Sequence, residues 1–270
     1  MPDAFPKLRG EIDASPVTHE GTVYYIVYDR AGVAPARLAV TPLALEVASR
    51  LDGHTSVLDL TDQVRHATGV VLTCSEVDAV VDTLDRSLFL DNAFFQDHLA
   101  QADRDFQASP LRPASSAGSA YPDDPGELAT ELERLLSSAP PPEESLAREG
   151  AAPAGAIVPH IDFSRGGHAY GQLYSFLRSR PAPKTVVVVG TAHLPLPGRY
   201  SLCLKDFATP LGQLPLDRER SEVIRRHLAP YGGVEQGLLA HRGEHSVELQ
   251  AVWLRHIYGD KVGLVPLLAA

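Results

Sequence analysis

KTVVVVGTAH, residues 184–193, is the stretch on which the fold turns. Its four consecutive valines show no alternation of polar and apolar positions, which predicts a strand buried on both faces in a sheet covered by helices. Working outward, AGAIVP at 154–159 reads as a second strand and HAYGQLYSFLRS at 168–179 as a helix, so the three segments compose a βαβ unit. Beyond them, SLCLKDF at 201–207 suggests another strand, SEVIRRHLAPY at 221–231 and SVELQAVWLRHIYG at 246–259 read as helices, and VGLVPLL at 262–268 as a closing strand. The expected fold class is α/β, a mostly parallel sheet with covering helices.

Both predicted strands of the unit end in a histidine, Pro159-His160-Ile161-Asp162 and Gly190-Thr191-Ala192-His193. The carboxyl edge of such a sheet is where ligands bind. Either each imidazole hydrogen-bonds a loop at its own strand end, or His160 and His193 converge on one metal ion. Neutral imidazoles suit iron, copper or zinc, and a carboxylate or thiolate completes a three-ligand set. Asp162 is either a partner in that set or a cap for the next turn. Ser164-Arg165-Gly166-Gly167 is either an anion-accepting turn or a tight turn that Gly-Gly permits. Asp162 and Arg165 are therefore the candidate substrate contacts. Glu244-His245-Ser246-Val247-Glu248 opens the last helix. A carboxylate-oriented histidine suits proton transfer or ligation, which makes His245 and Glu244 the catalytic candidates. The helix dipole alone accounts for an acid at 244, though not for His245. His168 and His241 lie near these motifs in sequence, while the remaining histidines are expected at the surface. Cys203 reads as a small core residue and Cys74 as a helix-start or packing residue. P-loop, GxSxG, CxxC and GxGxxG patterns are absent, which removes the usual support for nucleotide or α/β-hydrolase chemistry.

The front of the chain has a different texture. TVYYIVY at 22–28 and ARLAVT at 36–41 predict a hairpin around Ala31-Gly32. Three helices follow: one opened by Thr41-Pro42, one running from Ser56 to Gly69, and one capped by Ser75 with Asp78. Short strands around three helices suggest an α+β winged-helix-like domain over 1–99. Residues 100–116 read as linker and 117–270 as the α/β domain, with a proline-rich exposed loop between Ser137 and Gly150.

At 270 residues, about two domains are expected. The net charge of −10 is concentrated at the front, where residues 1–100 carry 7 Lys and Arg against 15 Asp and Glu. That balance argues against nucleic acid and for a basic peptide or protein partner. No apolar run approaches the roughly 20 residues of a membrane span, and the first residues lack a secretory apolar core. With two cysteines and no disulfide framework, a cytoplasmic location is expected.

Six blocks in order, AGSAYP (117–122), VPHIDFSRGG (158–167), VVVVGTAH (186–193), TPLGQLPLD (209–217), EHSVELQ (244–250) and LVPLL (264–268), resemble the Memo family, in particular protein B of the AmmeMemoRadiSam system, from about residue 112 onward. The resemblance implies a fold like that of class III extradiol dioxygenases and a metal pocket. His160 and His193 match the family's two early metal-binding histidines, and EHSVELQ matches a motif lining the same pocket. Iron or copper is the implied metal, with zinc as an alternative, and human relatives are linked to redox chemistry and phosphopeptide binding. Ala120 stands where the family has Trp, and His160-Ile161-Asp162 where it often has PHAGY. After LVPLL the family continues with an SDFxHWG-type segment and a later cysteine ligand, so the blocks cover about the first half of a Memo domain. Cys203 is not at that cysteine's place. Residues 1 to about 98, with LDGHTSVLDL at 51–60, resemble PqqD-like modules, which implies a leader peptide or a radical-SAM protein as partner. The resemblance leaves two functions: metal-dependent redox or dioxygenase-type chemistry, or a non-catalytic adaptor with a degenerate pocket.

Overall fold

The computed structural model describes residues 5–139, 153–231, 234 and 237–270. The chain divides into two compact units, one ending at Asp105 and the other beginning at Phe106.

In the first unit, β1 (Ile12–His19), β2 (Thr22–Asp29) and β3 (Arg37–Val40) form an antiparallel sheet in that order. The sheet contains the expected hairpin and a further strand, β1, whose mostly exposed IDASPVTH gave no strand pattern. Glu20 and Gly21 both have positive φ, the backbone a two-residue turn between twisted strands requires. Helices α1 (Pro42–Ala48), α2 (Val57–Thr68) and α3 (Cys74–Arg86) follow, with Thr41 and Ser56 capping the first two and Gly69 ending α2 in the left-handed region. The capping box of α3 is Thr73 with Glu76, two residues ahead of the expected Ser75 and Asp78. Thr73 wins because its partner three residues on is Glu, whose longer side chain reaches back to the cap N–H. Val27, Val47, Leu60, Val64, Val77, Val81 and Phe89 fill the core. A fourth helix, α4 (Ala93–Ala108), occupies half of the stretch expected as linker.

The second unit holds β4 (Leu111–Arg112), α5 (Pro125–Ser138), α6 (Phe163–Arg178), β5 (Thr185–Thr191), β6 (Tyr200–Leu202), β7 (Asp206–Thr209), β8 (Gly212–Leu214), α7 (Arg218–Leu228), α8 (Ala240–Gly243), α9 (His245–Tyr258) and β9 (Gly263–Ala269). The expected single, mostly parallel sheet is instead two mixed three-stranded sheets, ordered β4-β7-β8 and β5-β9-β6. In each, one pair is parallel and one antiparallel. AGAIVP is not a strand, and Ile157 is fully exposed. Apolar composition makes a strand only where a neighbouring edge accepts its hydrogen bonds, and β5 pairs with β9 rather than with this segment. Nor is β5 buried on both faces: Val186 and Val188 pack on the core, while Val187 and Val189 are about half exposed. The proline-rich loop expected after Ser138 falls, from residue 140, outside the described residues.

Helix α9 organises the unit. It packs against α5, α6, β5, β7, β8 and β9, and residues 246–254 are buried without interruption, the signature of a core helix rather than an amphipathic one. Trp253, fully buried, stacks on Tyr174 and Tyr170 from α6. Gly166 and Gly167, expected in a turn, lie in the first turns of α6. Their smallness serves packing, since a Cβ at Gly167 would stand 2.6 Å from Leu135 Cδ2 of α5. One turn on, a Cβ at Gly171 would fall onto the carbonyl oxygen of Leu135. Gly171→Ala is therefore expected to destabilise the unit by about 1–3 kcal/mol through overpacking, although helix propensity alone would stabilise it by about 1 kcal/mol. Urea unfolding followed by Trp253 fluorescence decides the sign, and a stabilised variant would refute the close helix contact.

A three-histidine cluster held by the start of α9

His193 lies two residues past the end of β5, His160 three residues before α6, and His245 is the first residue of α9. Three separate segments thus bring imidazoles together. Ring centroids are 5.1 Å apart for His160 and His193, 5.7 Å for His160 and His245, and 4.6 Å for His193 and His245. One nitrogen from each lies within 4.8 Å of those of the other two. His193 is partly exposed, with 43% of its side chain accessible, so the cluster opens to solvent.

Each histidine is anchored through α9. Glu244, the N-cap, accepts from the Ser246 backbone N–H at 2.9 Å. The same carboxylate accepts from the His193 backbone N–H at 2.9 Å and from Nδ1 at 3.0 Å, which assigns a proton to Nδ1. One turn further, Gln250 donates to the Pro159 carbonyl at 3.1 Å and so fixes the backbone beside His160. Burial alone would raise the Glu244 pKa, but hydrogen bonds from His193 and Ser246 outweigh it and hold the carboxyl below its ordinary value. Burial, assisted by the neighbouring imidazoles and opposed by Glu244, holds His245 below the usual histidine range. At neutral pH Glu244 is charged and His245 carries a free lone pair. A buried carboxylate orienting one of three imidazoles is a donor set suited to a transition metal.

The other candidates go elsewhere. Asp162 caps α6 by accepting from the Arg165 backbone N–H, and its carboxyl is held near 2 by the Arg165 side chain and Ser164. Asp162 also lines an open groove of about 820 Å³ with Ala120, Tyr121, Phe163 and Ser164. Arg165 is largely exposed and pairs with Asp162. His168 is exposed, whereas His241 is buried and its Nε2 donates to the Ser201 carbonyl, 3.1 Å away. His256 contacts Glu133 and the edge of Trp253, mostly covered rather than at the open surface. Cys203 is wholly buried, and burial pushes its thiol up to about 12, as a core residue requires. Cys74 is exposed at the start of α3.

Sequence reasoning passed over one buried ionic group behind the cluster. Glu248 and Arg112 are both fully buried and paired. Glu248 also accepts from Ser115 Oγ at 2.9 Å, the Ser116 backbone N–H at 2.8 Å and the Tyr121 hydroxyl. The only sequence signal was a second acid at the i+4 position from Glu244.

A family model described as Memo-like protein matches residues 112–270, the stretch that contains the whole cluster. The chain belongs to the Memo family. Among curated relatives, a MEMO1 family protein of Aquifex aeolicus is 29% identical over 246 residues, covering 91% of this chain and 62% of that protein. A MEMO1 family protein of Ignicoccus hospitalis is 33% identical over 163 residues, 58% of this chain and 56% of its own length. One of Methanopyrus kandleri is 31% identical over 164 residues, 59% and 56% respectively. The chain thus spans 56–62% of the length of these Memo relatives. Among the described residues, no helix is long and apolar enough to cross a membrane.

Proposed function

We propose that His160, His193 and His245 hold a transition metal and that this Memo-like unit serves metal-dependent chemistry. The observation that carries the reading is the approach of three imidazole nitrogens to within 4.8 Å of one another, with Glu244 on the far nitrogen of His193. Iron or copper is the expected ion and zinc the alternative, all three accepting imidazole ligands. When bound, such an ion supplies Lewis acidity or electron transfer at an open position. The protein's own part is to keep His193 in the Nδ1–H form, to hold the rings together and to leave the partly exposed face for a substrate. Glu244, charged and fixed, also accepts a proton shifted within the cluster, while Asp162, paired with Arg165, lines the groove beside Tyr121 and Phe163 as a substrate contact.

Two mixed sheets around a core helix suit the extradiol-dioxygenase-like class, and the small sheet with α1–α3 suits a winged-helix, PqqD-like module. The excess of acids over bases in residues 1–100, 15 against 7, favours a basic peptide or a protein partner such as a radical-SAM enzyme, in the cytoplasm.

Elemental analysis of anaerobically purified chain tests the metal reading. Wild type is expected to carry iron, copper or zinc near stoichiometry, and His160→Ala/His193→Ala to lose it while keeping its circular dichroism. Folded wild type that takes up no metal overturns the reading and returns the chain to the adaptor function.

A further inference from the structure

We infer that Arg112 is a positioning residue for the histidine cluster, acting as a clamp on the start of α9. The inference rests on the metal reading for its purpose but not for its geometry. Arg112 sits on β4, held in register by parallel pairing with Phe207 of β7 and lying over that ring at 5.3 Å. Its guanidinium is fully buried, and every direction of its fork is used. Nε donates to the His241 carbonyl at 2.9 Å, Nη1 to the Pro113 carbonyl at 2.6 Å and to Glu248, and Nη2 to Ser115 Oγ at 3.0 Å and the Glu244 carbonyl at 2.6 Å.

Two of those contacts matter for the cluster. The Glu244 carbonyl belongs to the residue whose carboxylate fixes His193 and whose successor is His245. The Glu248 carboxylate lies one turn along the same helix. A planar fork that touches both cannot follow a rotation of α9, so it sets where residues 244 and 245 stand. The Glu248 carboxylate extends the clamp through Ser116 and Tyr121 to the segment whose Ala120 carbonyl accepts from the Phe163 backbone N–H, close to His160. A buried guanidinium needs acceptors for all its N–H groups; that two of them are the carbonyls at 241 and 244, just before α9, is what ties this pair to the cluster.

Arg112→Lys keeps the positive charge and a bond to Glu248 but loses the fork. The companion Arg112→Met/Glu248→Met removes both charges together, so no charge is left buried alone, and it gives a second variant for measurement should Arg112→Lys fail to fold. The first readout needs no metal: nitrogen–proton spectra of the histidine rings in the apo chain. Wild type is expected to show His193 as the Nδ1–H form with a protected, downfield proton, and both variants to show a mixture of tautomers with that proton exchanging. The second readout is Co(II) titration, in which the variants are expected to bind about 10–100-fold more weakly than wild type. Folded variants with the wild-type His193 tautomer and proton protection overturn the clamp. Wild type that shows the tautomer change on mutation yet binds no Co(II) upholds the clamp and refutes the metal reading instead.

Discussion

Glu248→Ala is expected to destabilise the unit beginning at Phe106 by about 3–5 kcal/mol, the cost of removing one partner of a buried ion pair. Arg112 would keep its carbonyl acceptors but lose the carboxylate bonded to it, while the Ser116 N–H and the Tyr121 hydroxyl would lose their acceptor. For a unit of this size the melting temperature should fall by roughly 10 °C or more. Burial and the Glu248 charge push the Tyr121 phenol upward, so it remains a donor at every accessible pH and cannot compensate. Arg112→Met/Glu248→Met should recover part of the loss, because no charge is then buried alone, although the Ser116 N–H and the Tyr121 hydroxyl still lack their acceptor. Thermal unfolding read by Trp253, the single tryptophan, reports this core directly. A loss below about 1 kcal/mol in Glu248→Ala would mean that water reaches the pair, and a double variant as unstable as the single one would mean that the orphaned hydrogen-bonding groups rather than the unpaired charge set the cost.

How much of this was legible in the sequence depends on the range of the interaction involved. Caps and helix stops were readable at Thr41, Ser56 and Gly69 because each acts within a few residues. Thr73 was missed in favour of Ser75 because two capping patterns overlap in TCSEVD, and only the reach of the acid separates them. The strands β5 and β9 were readable from their β-branched and apolar runs, but their partners were not. AGAIVP has the same composition as a strand and lacks only an edge to join, a property of the rest of the molecule. At the site, His160 and His193 stood out because they end apolar runs in parallel fashion. The pairing of Glu244 was misjudged: it looked like the orienter of its neighbour His245, whose Nδ1 is 3.4 Å away, yet its closer ring contact is to His193, 51 residues earlier. Arg112 was invisible because 136 residues separate it from Glu248 and its surroundings, ASPLRPASSAG, read as linker. Small and hydroxyl residues mark flexible connections in most chains; here Ser115 and Ser116 are donors to a buried carboxylate.

Acid is expected to unfold the second unit through His241 before its carboxylates are protonated. The ring is buried on α8, and burial, assisted by nearby Arg112 and opposed by the bond to the Ser201 carbonyl, lowers its pKa to about 4. That bond assigns the proton to Nε2, and Nδ1 has no partner to receive a second one. In the unfolded chain the same ring titrates near the ordinary value of about 6.5. Between about pH 6.5 and 4 the unfolded state therefore binds the extra proton, so stability is complete above 6.5 and falls as pH drops through that window. The loss approaches about 2 kcal/mol at pH 5 and about 3 kcal/mol at pH 4, at 1.36 kcal/mol per unit. Glu244 and Asp162, whose pKa values are lowered, contribute in the same direction only below their unfolded values near 4 to 4.5. Between pH 7 and 5 the carboxylates add little, while His245 and His256, which burial also holds below the ordinary histidine value, act in the same direction as His241. His241→Gln keeps an amide donor for Ser201 and lacks the imidazole, so its urea midpoint in the presence of a chelator should fall by clearly less from pH 7 to 5 than that of wild type, the remaining slope coming from His245 and His256. Parallel curves for the two proteins would show that the imidazole reaches water in the folded state and that His241 is not the acid-sensitive element of this core.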